Sequence, residues 1–368
     1  MRVRLISVMP FNRSRTLPRA LVALACLVFL VLVRTAILSE GSDFEIFWKT
    51  GLRLVRLEPI YVPEVDGGRC FKYPPWIAPF FTPLALFTQA TGGMVWRLLL
   101  VAALGWTLLQ LVRGRTEREK CGVLATLIAM IGIWNSNIQA GQLTTALCAV
   151  AMLPWIAEPP LSLNRTMAML LGLSTKIFPL LTAAALGNDL RRTSIWWRTL
   201  LLAGALSVPA LIATPGYSVA RLLQDFLISA SNTGSVLGGS MNGLPALISI
   251  IFAIPRDQMV HQSAFALASL GLVFLGWMLV HRRLETRLER AMLALALSIC
   301  VTPLAYTYAL GLAFPWFALR MASAAERRFQ SWKDWAVVGA LLWTILPLPF
   351  RALAPVLTLL AVPREASR

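Results

Sequence analysis

Chemistry in this sequence starts at Asp43, in the segment Ser42-Asp43-Phe44-Glu45. Ser42 followed three residues later by Glu45 reads as a capping box that opens a helix, with Asp43 in its first turn. Phe44, Phe47, Trp48, Gly51 and Val55 form one apolar stripe of that helix, and Glu45, Lys49, Arg53 and Arg56 form a charged one. Such a helix lies along a membrane surface. Asp43 then either complements the helix dipole or stands as a functional carboxylate at the water–lipid boundary. Asp43 and Glu45, two apart, point to different faces and do not converge on one metal ion.

A second candidate is Lys176, the lone lysine within the apolar part of the later chain. An ammonium there snorkels to the surface or meets an anion such as a phosphate. Arg34, near the outer end of the first apolar run, allows the same two readings. Asn135, Asn137, Gln139 and Gln142 cluster around Gly141, which permits a tight turn; these amides either bond sugar hydroxyls or cap helix ends. The run from Thr302 to Tyr308 lies at a similar depth, where tyrosines are ordinary belt residues. Only His261 and His281 are present, so a histidine-based metal site is excluded by counting. Five cysteines without a CxxC pair, most of them in apolar runs, make no disulfide framework.

The elements that hold these residues follow from composition. The 368 residues are 57% hydrophobic and 14% charged, with a mean hydropathy of +0.69. That is too little charge to cover a water-soluble protein. The net charge of +17 arises from 34 basic and 17 acidic residues. The basic residues sit in short clusters between apolar runs, which is the pattern of membrane orientation and not of nucleic-acid binding. The clusters are the N-terminal arginines, 113–120, Arg165, 191–198, 282–290 and 320–333, together 21 of the 34. Placing them in the cytoplasm predicts an uncleaved first span at 20–38 and a cytoplasmic N-terminus. Further spans then fall near 94–112, 121–136, 143–157, 165–176, 177–189, 199–214, 262–280, 291–306, 308–319 and 335–348. A last apolar stretch covers 352–362, for roughly ten to twelve spans in all. The expected fold is an all-α polytopic membrane protein, a single integral domain over 1–368.

The long first extracytoplasmic loop, 39–93, carries six of the acids. Three prolines shortly ahead of Leu84, Pro75, Pro79 and Pro83, argue against a straight span at 76–91, so that segment is expected as a surface or re-entrant helix. The segments 165–176 and 177–189 are short and read as half-helices meeting near Lys176. A second extracytoplasmic loop, about 215–261, holds an apolar 243–254 stretch. No acid falls mid-membrane, which counts against an ion-coupled carrier.

Taken in order, four segments resemble glycosyltransferase family 87, within the GT-C superfamily of polyprenyl-phosphate-sugar-dependent enzymes. They are Asp43-Phe44-Glu45-Ile46-Phe47-Trp48 with Glu58 to Tyr61, then Phe71-Lys72-Tyr73-Pro74-Pro75, Gly141-Gln142, and Ser174 to Pro179 around Lys176. Thr144 stands where family members often carry Asn, and Tyr308 where they often carry His. The resemblance implies a GT-C-like bundle and transfer of a mannose- or pentose-like sugar from a polyprenyl phosphate to a glycolipid or glycan acceptor. It further implies inversion with Asp43 as general base, and Lys176 with Arg34 on the donor phosphate. Glu45, Tyr61, Tyr73, Asn137, Gln142 and Tyr308 are the expected substrate contacts. No cofactor is implied, and a divalent cation is not indicated. The expected location is a bacterial inner membrane with the site on the extracytoplasmic face. An exporter or flippase of lipid-linked saccharides is the competing reading, although no internal repeat is visible.

Overall fold

The computed structural model describes residues 13–41, 43–66, 69–155, 163–176, 178–191, 193–214, 216–231, 271–274, 276–278, 280, 283–284, 286–301, 307–346 and 351–362. Ser42, the 243–254 stretch, much of the expected 262–280 span and residues 302–306 lie outside them. Among the described residues every regular element is helical.

Helix α1 (Arg13–Leu38) leads into the first loop, where α2 (Phe44–Val55) is the main element. Then follow α3 (Gln89–Val112), α4 (Glu117–Ala129), α5 (Ile131–Ala140), α6 (Thr144–Met152) and α7 (Leu163–Leu173). After a 3-10 helix, Phe178–Arg191, come α8 (Thr193–Ile212), α9 (Val219–Ser231), α10 (Arg287–Val301), α11 (Phe314–Glu326) and α12 (Trp332–Ile345). Local chemistry fixes the starts. Thr88 caps α3 by accepting from the Thr91 N–H, and Thr116 with Glu119 closes a full capping box on α4. Ser331 and Asp334 do the same for α12.

Residues 18–38 of α1, the whole of α3 and residues 194–212 of α8 are long and apolar enough to cross a bilayer. Helices α4 and α5, bent by 55° at Met130, make a fourth if the pair is one span. The other expected spans within the described residues come as shorter pieces. Residues 178–189 of the segment expected as a half-helix at 177–189 are 3-10, with Pro179 near its start, and the preceding helix ends in a turn at 174–176.

The outer helices expose large apolar side chains: Leu27 and Leu30 on α1, Leu99 and Leu109 on α3, Leu201 and Ile212 on α8. In a membrane protein these face lipid. Residues 291–300 of α10 and 314–320 of α11 are buried on every side, so these helices form the centre of the bundle. Trp196 and Trp197 at the start of α8, with Trp332 and Trp335 at the start of α12, are exposed beside the basic clusters, where interfacial tryptophans are favoured.

Helix α2 differs from expectation in what covers it. Phe44, Phe47 and Gly51 of its apolar stripe are buried against protein, while Val55 stays exposed; the Phe47 ring stacks on Phe81 at 4.5 Å and meets Tyr73 and Trp96 edge-on. The cover is the proline-rich segment, a 3-10 helix Pro75–Phe81 running into a short α-turn, Thr82–Ala85. Contact is close because position 51 is glycine; a Cβ there would lie 2.5 Å from the Phe81 carbonyl oxygen. Burying Phe47 contributes about 1.5–3 kcal/mol, and each good ring pair adds about 0.5–1.5 kcal/mol.

Candidate active site

Asp43 is the N-cap residue of α2, but its side chain makes no capping bond. Its N–H instead donates to the Ala140 carbonyl at 3.1 Å, which ties the start of α2 to the end of α5. The carboxylate is therefore not used up on its own helix. The Gln142 amide donates to its Oδ2.

Gly141 makes that pairing possible. It ends α5 in the left-handed region at φ +74°, where a side chain is strained. Its N–H donates to the carbonyls of Asn137 and Ile138, and the Gln142 N–H also donates to Asn137. The reversal turns the Gln142 side chain toward Asp43. The Trp96 indole N–H holds the Gly141 carbonyl at 2.8 Å from α3.

Tyr73 forms the next wall. Pro74 and Pro75 fix the backbone beyond it, and the Tyr61 hydroxyl donates to the Tyr73 carbonyl at 2.7 Å. Burial, and secondarily the Asp43 carboxylate, push the Tyr73 hydroxyl well above its ordinary value. It keeps its proton at neutral pH and is available as a donor.

Lys176 ends the turn after α7, its N–H donating to the Leu173 carbonyl. It is half-buried, and the Asp43 carboxylate acts on its ammonium electrostatically. One carboxylate, one amide, one neutral phenol and one ammonium thus converge from four separated stretches of sequence.

The remaining candidates have other surroundings. Tyr61 lies behind Tyr73 and positions its backbone. Glu45, expected to complete a capping box, bonds Lys49 at 2.8 Å and Arg69 at 3.5 Å. The Lys49 bond holds its carboxyl below the ordinary value despite partial burial, with Arg69 adding to the effect. Arg34 is exposed on α1. Asn137 is fully buried in α5, with neither amide atom bonded among the described residues. The backbone of Tyr308 belongs to a 3-10 helix, Thr307–Ala313, and its side chain lies outside the description. Among the described residues no three His, Cys, Asp or Glu side chains come together to hold a metal ion.

Arg97 is the residue that sequence reasoning passed over. It is 1% exposed on α3, and its Nε donates to the Ala36 carbonyl at 2.9 Å, fixing the end of α1 just before the chain turns to Asp43. An arginine inside the apolar 94–112 run was the available signal, since a charge there must find internal partners.

The model of glycosyltransferase family 87 matches residues 71–307 of this chain. The chain belongs to glycosyltransferase family 87. Tyr73, Arg97, Gln142 and Lys176 fall within the matched stretch, and Asp43 precedes it. No curated protein and no solved structure matched. Family 87 membership together with the apolar helices makes this a membrane glycosyltransferase, and the exporter reading gives way.

Proposed function

We propose that this family 87 protein transfers a mannose- or pentose-like sugar from a polyprenyl-phosphate donor to a glycolipid or glycan acceptor. The reaction takes place at the extracytoplasmic face of a bacterial inner membrane, with the N-terminus in the cytoplasm. Asp43 is the general base. The observation that carries this reading is that its carboxylate leaves its own helix uncapped and is held from across the bundle by Gln142.

With Oδ2 engaged by the amide, Oδ1 remains to accept the proton of an acceptor hydroxyl. As that proton leaves, the acceptor oxygen bonds to the anomeric carbon while the bond from that carbon to the lipid phosphate oxygen breaks. The configuration inverts in one displacement, and no covalent enzyme intermediate forms. The departing phosphate needs charge stabilisation rather than a proton, and Lys176 supplies it. The neutral Tyr73 hydroxyl donates to a sugar or phosphate oxygen in the same space.

The test is mass spectrometry of glycolipids and envelope glycans from a deletion strain complemented with wild type or with Asp43→Asn. Loss of one sugar residue that only wild type restores, with the unmodified acceptor accumulating, is the expected result and names both substrates. Full restoration by Asp43→Asn would remove the base from the mechanism.

A further inference from the structure

On the charged face of α2, starting two residues after Asp43, the first loop lines an open cavity of about 300 Å³. One wall is the stripe Glu45, Lys49 and Arg53, spaced four residues apart and so aligned along the helix. The opposite wall is contributed by Asp66 and Arg69. The floor is apolar, with Ile46 and Phe71, and Val65 stands at the rim 76% exposed.

These charges are held in place by one another. Arg53 grips Asp66 in a two-pronged pair at 2.5 and 2.8 Å, both side chains about 15% exposed or less. Glu45 bridges Lys49 and Arg69. Each carboxylate oxygen keeps a lone pair beyond these bonds, and Lys49 keeps further N–H donors. Fixed donors and acceptors therefore alternate around a space the size of a small ligand site. A simple anion would face Glu45 and Asp66, and a simple cation would face three basic groups. A neutral polyol, each hydroxyl both donor and acceptor, satisfies both kinds of partner. Its C–H face would rest on the apolar floor.

We infer that this cavity binds a neutral sugar ring of the acceptor, one helical turn from Asp43. Ile46 and Thr50 line the cavity and share the helix face of Asp43, so a saccharide seated there directs its next residue toward the carboxylate. The inference rests on the transferase reading for the role of the bound sugar, but the binding can be tested without turnover.

Saturation-transfer NMR on the full chain in nanodiscs, with methyl glycosides of mannose, glucose, galactose and arabinose as probes, reads it directly. Wild type and Asp43→Asn are expected to transfer saturation equally to at least one neutral glycoside, independently of ionic strength. Val65→Trp, a change at an exposed rim position that fills the mouth, is expected to lower that signal at least ten-fold. Absence of transfer to every neutral glycoside overturns the inference, as does equal transfer in Val65→Trp. A salt-sensitive preference for a methyl glucuronide overturns the neutral-sugar assignment. A failed base assignment appears only in turnover, so the two failures are distinguishable.

Discussion

The junction of α2, α5 and the turn after α7 handles its polar groups differently from the opposite end of the bundle, where α4, α10, α11 and α12 begin or end. At that opposite end charges are consumed by structure. Arg115 bonds Glu119 at 2.8 Å while Glu119 completes a capping box, Thr116 donates to Glu326 at 2.7 Å, Arg320 pairs with Glu289, and Asp334 holds Arg327 and caps α12. At the Asp43 junction both amide atoms of Asn137, Oε1 of Gln142, the hydroxyls of Thr144 and Thr145 and one guanidinium nitrogen of Arg97 are buried with no partner among the described residues. A buried polar group left unmade costs about 1–3 kcal/mol. The charges at one end are largely paired with one another, while the other end keeps a cluster of open polar atoms, which is what a site for a hydroxyl-rich substrate requires.

If the contrast holds, changes at the junction lower kcat and leave folding intact, whereas changes at the opposite end lower stability and leave kcat intact. Lys176→Met is expected to reduce kcat by about 10²–10³-fold, the size of losing one charge-stabilising donor, without altering insertion or melting behaviour. Steady-state kinetics beside thermal unfolding in detergent checks both halves. Gln142→Leu removes a hydrogen bond to a charged oxygen, about 1.5–3 kcal/mol, and is expected to lower kcat roughly 10- to 100-fold by the same assay.

At the other end, Asp334→Asn is expected to lower the unfolding temperature while turnover stays within about two-fold, since a hydrogen bond to a charged group contributes about 1.5–3 kcal/mol. Burial alone would raise the Asp334 carboxyl, but the Arg327 and Ser331 bonds outweigh it and hold the group below its ordinary value. Its contribution is therefore fully present above the ordinary carboxylate range, about pH 3.9, and is lost as pH falls through the lowered folded value. Wild-type unfolding followed from pH 6 down to pH 3 should show this loss, and Asp334→Asn should lack it. Smallest of all, Lys120→Ala breaks an ion pair with Glu117 that is 37% and 70% exposed. It should change stability by less than about 0.5 kcal/mol and turnover not at all.

How far these features were legible in the sequence varied with the physics behind them. The apolar and charged stripes of α2 were readable because helical period depends on local spacing alone. What covers the apolar stripe was not, because periodicity says that a face is buried without saying by what; the cover of Phe47 and Gly51 is the proline-rich segment. Asp43 stood out as an acid in a helix's first turn. Its engagement by Gln142, 99 positions on, depends on a left-handed glycine and on the packing of α5 against the first loop. Lys176 was marked by the rarity of lysine in apolar sequence, and Arg97 was equally marked yet hidden near the start of a long span. The ionic cavity was out of reach because Arg53 and Asp66 meet only through the fold of the 56–66 turn.

The most direct test is single-turnover transfer by purified protein from a synthetic polyprenyl-phosphate sugar, comparing wild type with Asp43→Asn while donor binding is measured on the same samples. Loss of about 10²–10⁴ in rate, with donor affinity unchanged within about two-fold, is the result this account predicts. Transfer by Asp43→Asn at the wild-type rate would contradict it.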